Sequence, residues 1–230
     1  MAVLGQKAVK GEPFRRRTSG KIDCPIARDA IDWIVRLGAN SAKPAADPEQ
    51  AASALREIFR RFDAAYQLPE DERAFLTRQI EAVAASHNFP SVFQHGDPGA
   101  WNLMVSSGRV IVIDWEAGET EGMPLWDFFY FIRSYASWMC RQQGNRDSLK
   151  CFETKFLQQS ELTGLLNETL KRYCSLTGLV ESLVAPLFYT CWMHRALKES
   201  TRLMREQLHT GHYIRLLRLC MKHGQLPFGE

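Results

Sequence analysis

Two carboxylates and an amide, Asp97, Asn102 and Asp114, stand among turn residues and short apolar runs. Asp97 follows His95-Gly96 and precedes Pro98-Gly99, which holds it in a loop rather than in a helix or strand. Asn102 comes just before the apolar run Leu103-Met104-Val105, and Asp114 closes the run Val110-Ile111-Val112-Ile113. Ser106-Ser107-Gly108-Arg109 between the runs reads as a turn, so the pair predicts a hairpin. A loop carboxylate and a strand-end carboxylate across a hairpin can converge on one small volume. An ionised carboxylate can orient a hydroxyl or take its proton. A carboxylate with an amide oxygen offers the hard oxygen ligands that Mg2+ prefers. Moving a phosphoryl group onto a hydroxyl needs little else: positioning, cations against the phosphate charge, and an oriented nucleophile. Taken singly, each residue has an ordinary use, as a turn Asp, an Asx cap or the end of a strand.

The elements that must position these residues are mostly helices. A short strand is expected over residues 2–10, broken by Gly11-Glu12-Pro13, with a basic irregular stretch over 14–24. Apolar spacing predicts a helix from Ile26 to Leu37, stopped by Gly38-Ala39-Asn40, then a loop over 40–50. Further helices are expected over 49–65 and 70–86, the second ended by His87-Asn88-Phe89-Pro90. Val92-Phe93 reads as a strand stub. After Pro124 the run from Leu125 to Arg141 is apolar on nearly every side, as in a helix at the centre of a core. Helices over 147–158, 161–174, 179–198 and 201–222 complete the chain.

Composition removes several function classes. The 230 residues are 45% hydrophobic, with 13 Phe, 6 Trp and 6 Tyr, so the chain can fill a core and is not disordered as a whole. The formal charge of +3, from 29 basic and 26 acidic residues, is too even to point to nucleic acid. No run approaches the length of a membrane helix; Leu183 to Met193 is the best candidate and reads as a buried helix. The N-terminal residues lack the apolar core of a signal peptide. The six cysteines form no C-x-x-C pair, and several sit in apolar helical runs. A reduced, cytoplasmic protein is therefore expected.

The chain resembles the catalytic lobe of the aminoglycoside phosphotransferase and choline kinase superfamily, a branch of the protein-kinase-like fold. That family carries H-G-D-x-x-x-x-N, a hydrophobic strand, I-D-W/F-E, and a downstream G-x-P-x-x-D. Here these are His95-Gly96-Asp97 with Asn102, Ile113-Asp114-Trp115-Glu116, and Gly122, Pro124 and Asp127. The resemblance implies an α+β, mainly helical fold: a protein-kinase-like C-terminal lobe with a small β-hairpin carrying the site. It implies that Asp97 is the catalytic base, Asn102 a metal ligand and Asp114 the principal metal ligand. Asp127 would buttress the catalytic loop, and His95 would be structural in it. ATP and Mg2+ are the implied cofactors, and a hydroxyl on a sugar, aminoglycoside or amino alcohol is the implied acceptor.

The family begins with a lobe of strands that carries a phosphate-covering loop and a nucleotide lysine. No G-x-G-x-x-G is present, and residues 2–13 resemble only the last strand of that lobe and its hinge. The expected organisation is thus a remnant over 1–13 and a catalytic lobe over 14–230. The family's adenine-binding hinge maps to Gln6, Lys7 and Ala8. An inactive, truncated kinase-like protein with a binding or regulatory role is the alternative.

Other features carry two readings. Glu116, Glu119 and Glu121 either hold a cationic acceptor or form a solvated acidic loop. Trp101 packs on a substrate or pins the loop to the core. Arg15-Arg16-Arg17 is a phosphate or nucleic-acid contact or a solvated run. The basic 201–222 helix lies on an anionic membrane or packs on the core with its charges outward. Cys191 and His194 lack partners for zinc and read as a packed helix face.

Overall fold

The structure, a computed structural model, describes residues 9–229 apart from the side chains of 44–46. Two small antiparallel sheets carry the loops around Asp97, and helices pack around them. The first sheet has the order β1-β4-β5: β1 (Glu12–Pro13), β4 (Leu103–Ser106) and β5 (Arg109–Val112). In β4, Leu103 and Val105 point to the core while Met104 and Ser106 are half-buried, as alternation along a strand requires. Ser107 and Gly108, both at positive φ, make the two-residue connection that matches the strands' twist.

The second sheet has the order β2-β3-β6: β2 (Lys43–Ala46), β3 (Phe89–Gln94) and β6 (Glu119–Gly122). Only the middle of β3 was legible, as the stub Val92-Phe93. Pro90 was read as a helix stop, yet it lies inside the strand, before pairing to β6 begins at Val92↔Gly122. Its missing N–H therefore removes no bond on that side. The expected loop over 40–50 contains β2, an edge strand that tolerates Pro44 for the same reason. Strand β6 has no apolar alternation to reveal it. It is set by close approach: a Cβ on Gly122 would lie 2.4 Å from the Gln94 side chain.

The basic stretch over 14–24, expected to be irregular, opens with a short helix, α1 (Phe14–Arg17), which buries Phe14 completely. Helix α2 (Pro25–Ser41) runs past the expected stop. Gly38 continues it because its bare backbone faces the Tyr173 ring, where a Cβ would stand 2.6 Å from the phenol oxygen. Helix α3 (Pro48–Tyr66) starts on Asp47, whose carboxylate accepts from the Glu49 amide at 3.0 Å. Helix α4 (Glu70–Ala84) packs beside it.

Helix α5 (Trp126–Gln142) is the centre of the molecule, with Phe128, Phe129, Phe131, Ile132 and Tyr135 at 0% exposure. Its aromatic rings explain why no polar face was readable. The expected 147–158 helix splits into α6 (Ser148–Phe152) and a π-helical turn over Glu153–Leu157. Helix α7 (Glu161–Thr177) begins at a Ser160/Thr163 capping box and ends at Gly178 with φ 75°. Helix α8 (Val184–Ser200) brings Arg195 to the site.

The single helix expected over 201–222 is instead a 3-10 turn, Arg205–Thr210, and α9 (His212–His223). Gly211 is extended between them, and the Glu199 carboxylate accepts from the Tyr213 amide at 2.9 Å, which caps α9 from α8. The apolar face of α9 is buried and Arg218 pairs with Glu72, so this helix packs on the protein. Among the described residues no single helix is long and apolar enough to cross a membrane.

The expectation of fully reduced cysteines fails at one place: Cys140 on α5 and Cys151 on α6 form a disulfide, with Cα atoms 6.3 Å apart. Nothing in the sequence brings these two together; the turn between the helices does. Cys24, Cys174, Cys191 and Cys220 are free and buried.

Candidate active site

Asp97 sits in the connection between β3 and β4, and the loop around it is fixed by three buried groups. The first is Asp127, in the first turn of α5. Its carboxylate accepts from the His95 amide at 2.5 Å and the Gly96 amide at 3.0 Å. Burial pushes this carboxyl above the usual range, and the two amides and Arg195 pull it back. Two amide donors on its two oxygens favour the ionised form against that burial. The second is the His95 ring, fully buried. Its Nδ1 accepts from the Asp97 amide at 3.2 Å, which makes Nε2 the protonated nitrogen that donates to the Ile113 carbonyl at 2.8 Å. This ties the loop to the end of β5, one residue before Asp114.

The third group is Arg195, which sequence reasoning missed. It is 5% exposed, donates from Nη2 to the Gly96 carbonyl at 2.8 Å, and holds Nη1 3.7 Å from Asp97 Oδ1. Its guanidinium lies 3.4 Å from the centre of the Tyr130 ring, so packing covers one face and hydrogen bonds use its edge. The signal available in the sequence was an arginine inside the mostly apolar run Val184 to Ala196. A charge there needs a buried partner.

Gly96 allows the loop its shape. Its φ is 78°, and a Cβ would lie 2.1 Å from the Ala117 carbonyl oxygen. The turn that follows is closed by the Gly99 amide on the Asp97 carbonyl and the Asn102 amide on the Gly99 carbonyl, both 2.8 Å. Ser134 on α5 accepts from the Ala100 amide at 3.1 Å.

Asn102 is 7% exposed and donates from Nδ2 to the Asp97 carbonyl at 2.9 Å, with Asp97 Oδ2 at 3.3 Å. Among the described residues no donor reaches its Oδ1. Asp114 follows β5 at φ 65°, a left-handed turn that takes its exposed carboxylate off the strand direction. Asp97 and Asp114 line one cleft of about 470 Å³ together with Tyr130, Arg195, Lys198 and Tyr213. Burial, reinforced by Tyr213, pushes the Tyr130 phenol upward, so it presents a neutral hydroxyl.

The acidic residues after Asp114 separate. Glu116 lines the cleft, whereas Glu119 accepts from Gln94 Nε2 at 3.2 Å and Glu121 pairs with Lys43 at 2.6 Å on the surface. Trp101 is tied to α5 through Tyr130 and also reaches the cleft. It packs edge-on against Tyr130, 5.9 Å between centres, and stays 43% exposed at the cleft mouth. His194, half-buried, stacks on Trp126, and Cys191 is fully buried in the core. Gln6, Lys7 and Ala8, the expected nucleotide hinge, lie outside the described residues.

Among the described residues no three His, Cys, Asp or Glu side chains cluster as a metal site. The donor set that is present is an amide oxygen without a protein donor and a free carboxylate. Both are hard oxygen ligands, and they suit Mg2+ with water completing its shell.

Solved structures with a similar chain path include glucosamine kinase in one crystal form, with 17% identity and a TM-score of 0.47. Glucosamine kinase in complex with glucosamine, ADP and inorganic phosphate follows at 16% identity and a TM-score of 0.44. Each overlaps 91% of this chain and 55% of the kinase chain, so the chain spans about half the length of those proteins. No curated protein matches it. Residues 3–147, more than half of the 230, match the profile of the phosphotransferase enzyme family, APH. That segment includes the loop of Asp97, the turn at Asp114 and the buttress Asp127, and the chain belongs to that family.

Proposed function

We propose that this chain carries the acceptor-activating and metal-holding part of an ATP-dependent small-molecule phosphotransferase. The observation that carries the reading is the convergence of Asp97 and Asp114 on one cleft while buried Asp127, His95 and Arg195 hold the loop between them. A surface turn has no use for a buried carboxylate, a buried imidazole and a buried guanidinium. A site that must place one oxygen to a fraction of an ångström does.

Asp97 orients the acceptor hydroxyl and takes its proton as the phosphoryl group is transferred. Arg195 Nη1, 3.7 Å from Oδ1, and Asn102 Nδ2, 3.3 Å from Oδ2, hold that carboxylate in place at the cleft. Asn102 Oδ1 and Asp114 are the residues that would hold Mg2+, whose charge offsets that of the nucleotide phosphates when bound. The neutral Tyr130 hydroxyl and the Trp101 ring line the acceptor side.

The test is ATP turnover by the full chain with Mg2+ and a panel of hydroxyl compounds. Acceptor-dependent ADP release is expected, falling at least ~100-fold in Asp97→Asn with an unchanged thermal transition. Equal turnover in the variant, or no nucleotide binding to the wild type by calorimetry, overturns the reading.

A further inference from the structure

Trp101 also lines a second cleft, of about 220 Å³, together with Arg15, Arg133, Arg141, Ser137, Ser148 and His212 among others. We propose that this cleft binds a phosphate or carboxylate group, and that this group is the acidic end of the acceptor whose hydroxyl reaches Asp97. The second half of this statement rests on the function proposed above.

Three guanidinium groups share this small space, and among the described residues none of the three forms an ion pair with a carboxylate. Five arginines elsewhere, Arg56, Arg60, Arg73, Arg172 and Arg218, each have a carboxylate within 3 Å. Like charges brought together and partly buried repel unless something anionic sits between them.

The local partners do not fill that role. Arg15 lies over Trp101 at 5.6 Å and Trp138 at 5.7 Å, which engages the faces of its guanidinium and leaves the edge free. Its Nε is buried without any hydrogen bond. Arg133 meets His212 Nε2. Burial, with Arg133 and Arg215 nearby, lowers the His212 pKa to about 3, so this imidazole is neutral and cannot balance the charge. Ser137 makes no side-chain hydrogen bond among the described residues, and it adds a hydroxyl donor to the same wall. The set thus offers forked N–H donors, a hydroxyl and net positive charge, the chemistry that recognises phosphate and carboxylate oxygens.

The link to the acceptor is Trp101, which lines both clefts. Its indole N–H is 3.5 Å from Asp97 Oδ2 while Arg15 sits over its ring. One indole therefore separates the proposed base from the proposed anion site. An acceptor with a hydroxyl at one end and an acid at the other would span the two clefts past the exposed part of that ring.

Calorimetry with inorganic phosphate at neutral pH tests the site without relying on turnover. Saturable binding is expected in the wild type and in Asp97→Asn. A loss of at least tenfold in affinity is expected in Arg141→Gln, whose exposed side chain leaves folding intact, and in Arg15→Gln. Absence of binding, or binding that both arginine variants keep, overturns the anion site. The acceptor assignment is tested by pairing hydroxyl compounds that differ only in a carboxylate or phosphate. Lower KM for the acidic member, lost in Arg141→Gln, supports it. Equal KM for both members with phosphate binding intact overturns the acceptor assignment alone and leaves an independent anion site.

Discussion

Asp127→Asn isolates the group that holds the Asp97 loop. In the native protein one carboxylate accepts two backbone N–H groups, at 2.5 and 3.0 Å, from successive residues. Asparagine is nearly isosteric but has a single acceptor oxygen. One amide keeps a partner, now neutral, and the bond weakens by ~1 kcal/mol. The other amide faces an NH2 group and is left unsatisfied in a buried site, at ~1–3 kcal/mol. Arg195 loses a nearby negative charge, although Asp97 remains 3.7 Å from it. Relief of the carboxylate's own burial offsets part of this, so a net loss of about 3 kcal/mol is expected. Guanidinium chloride unfolding, with a lower midpoint at unchanged slope, measures it. Asp97→Asn serves as the control, since its carboxyl is 30% exposed and should shift stability by less than ~1 kcal/mol. A loss below ~1 kcal/mol in Asp127→Asn would refute the reasoning, because the loop would then not depend on the buttress.

Gly96→Ala forces a Cβ to within 2.1 Å of the Ala117 carbonyl at a φ of 78°; thermal unfolding should reveal a loss of ~2–3 kcal/mol, with turnover reduced. Arg195→Lys removes the fork that joins Gly96 to Asp97, and a fall of at least tenfold in kcat is expected, with nucleotide affinity by calorimetry unchanged. His194 has its pKa lowered to about 3 by burial and then by Arg195, Lys198 and Arg61. The unfolded chain therefore takes up a proton near pH 6.5 that the folded protein refuses until about pH 3, so this group's contribution falls as pH drops through that window. Between pH 7 and 5 the wild type should lose ~2 kcal/mol more than His194→Phe in denaturant titrations, and parallel pH curves would contradict the assignment.

The motif residues were legible because their chemistry depends on local sequence. Gly and Pro around Asp97 dictate a loop, and the β4–β5 hairpin follows from apolar runs separated by Ser107-Gly108. The all-round apolar run over 125–141 could belong only to a helix in the interior, and α5 is that helix. Elements defined by a neighbour were not legible. Strand β6 is polar and exists because Gly122 lets Gln94 approach, and β2 exists because β3 offers an edge. The break at Gly211 depends on Glu199 capping α9 from another helix.

The sequence by itself determined the class of chemistry, since residue type and spacing place two carboxylates and an amide around one hairpin. Only the tertiary structure decided what holds them. Arg195 is 98 positions from Asp97, and nothing short of the packing of α8 against the loop brings them together. The same holds for Arg15 with Arg133 and Arg141, which share a cleft because Phe14 of α1 packs on Phe131 and Tyr135 of α5. Spacing along a chain encodes local geometry, whereas the pairing of distant charges is fixed by which faces the core must bury.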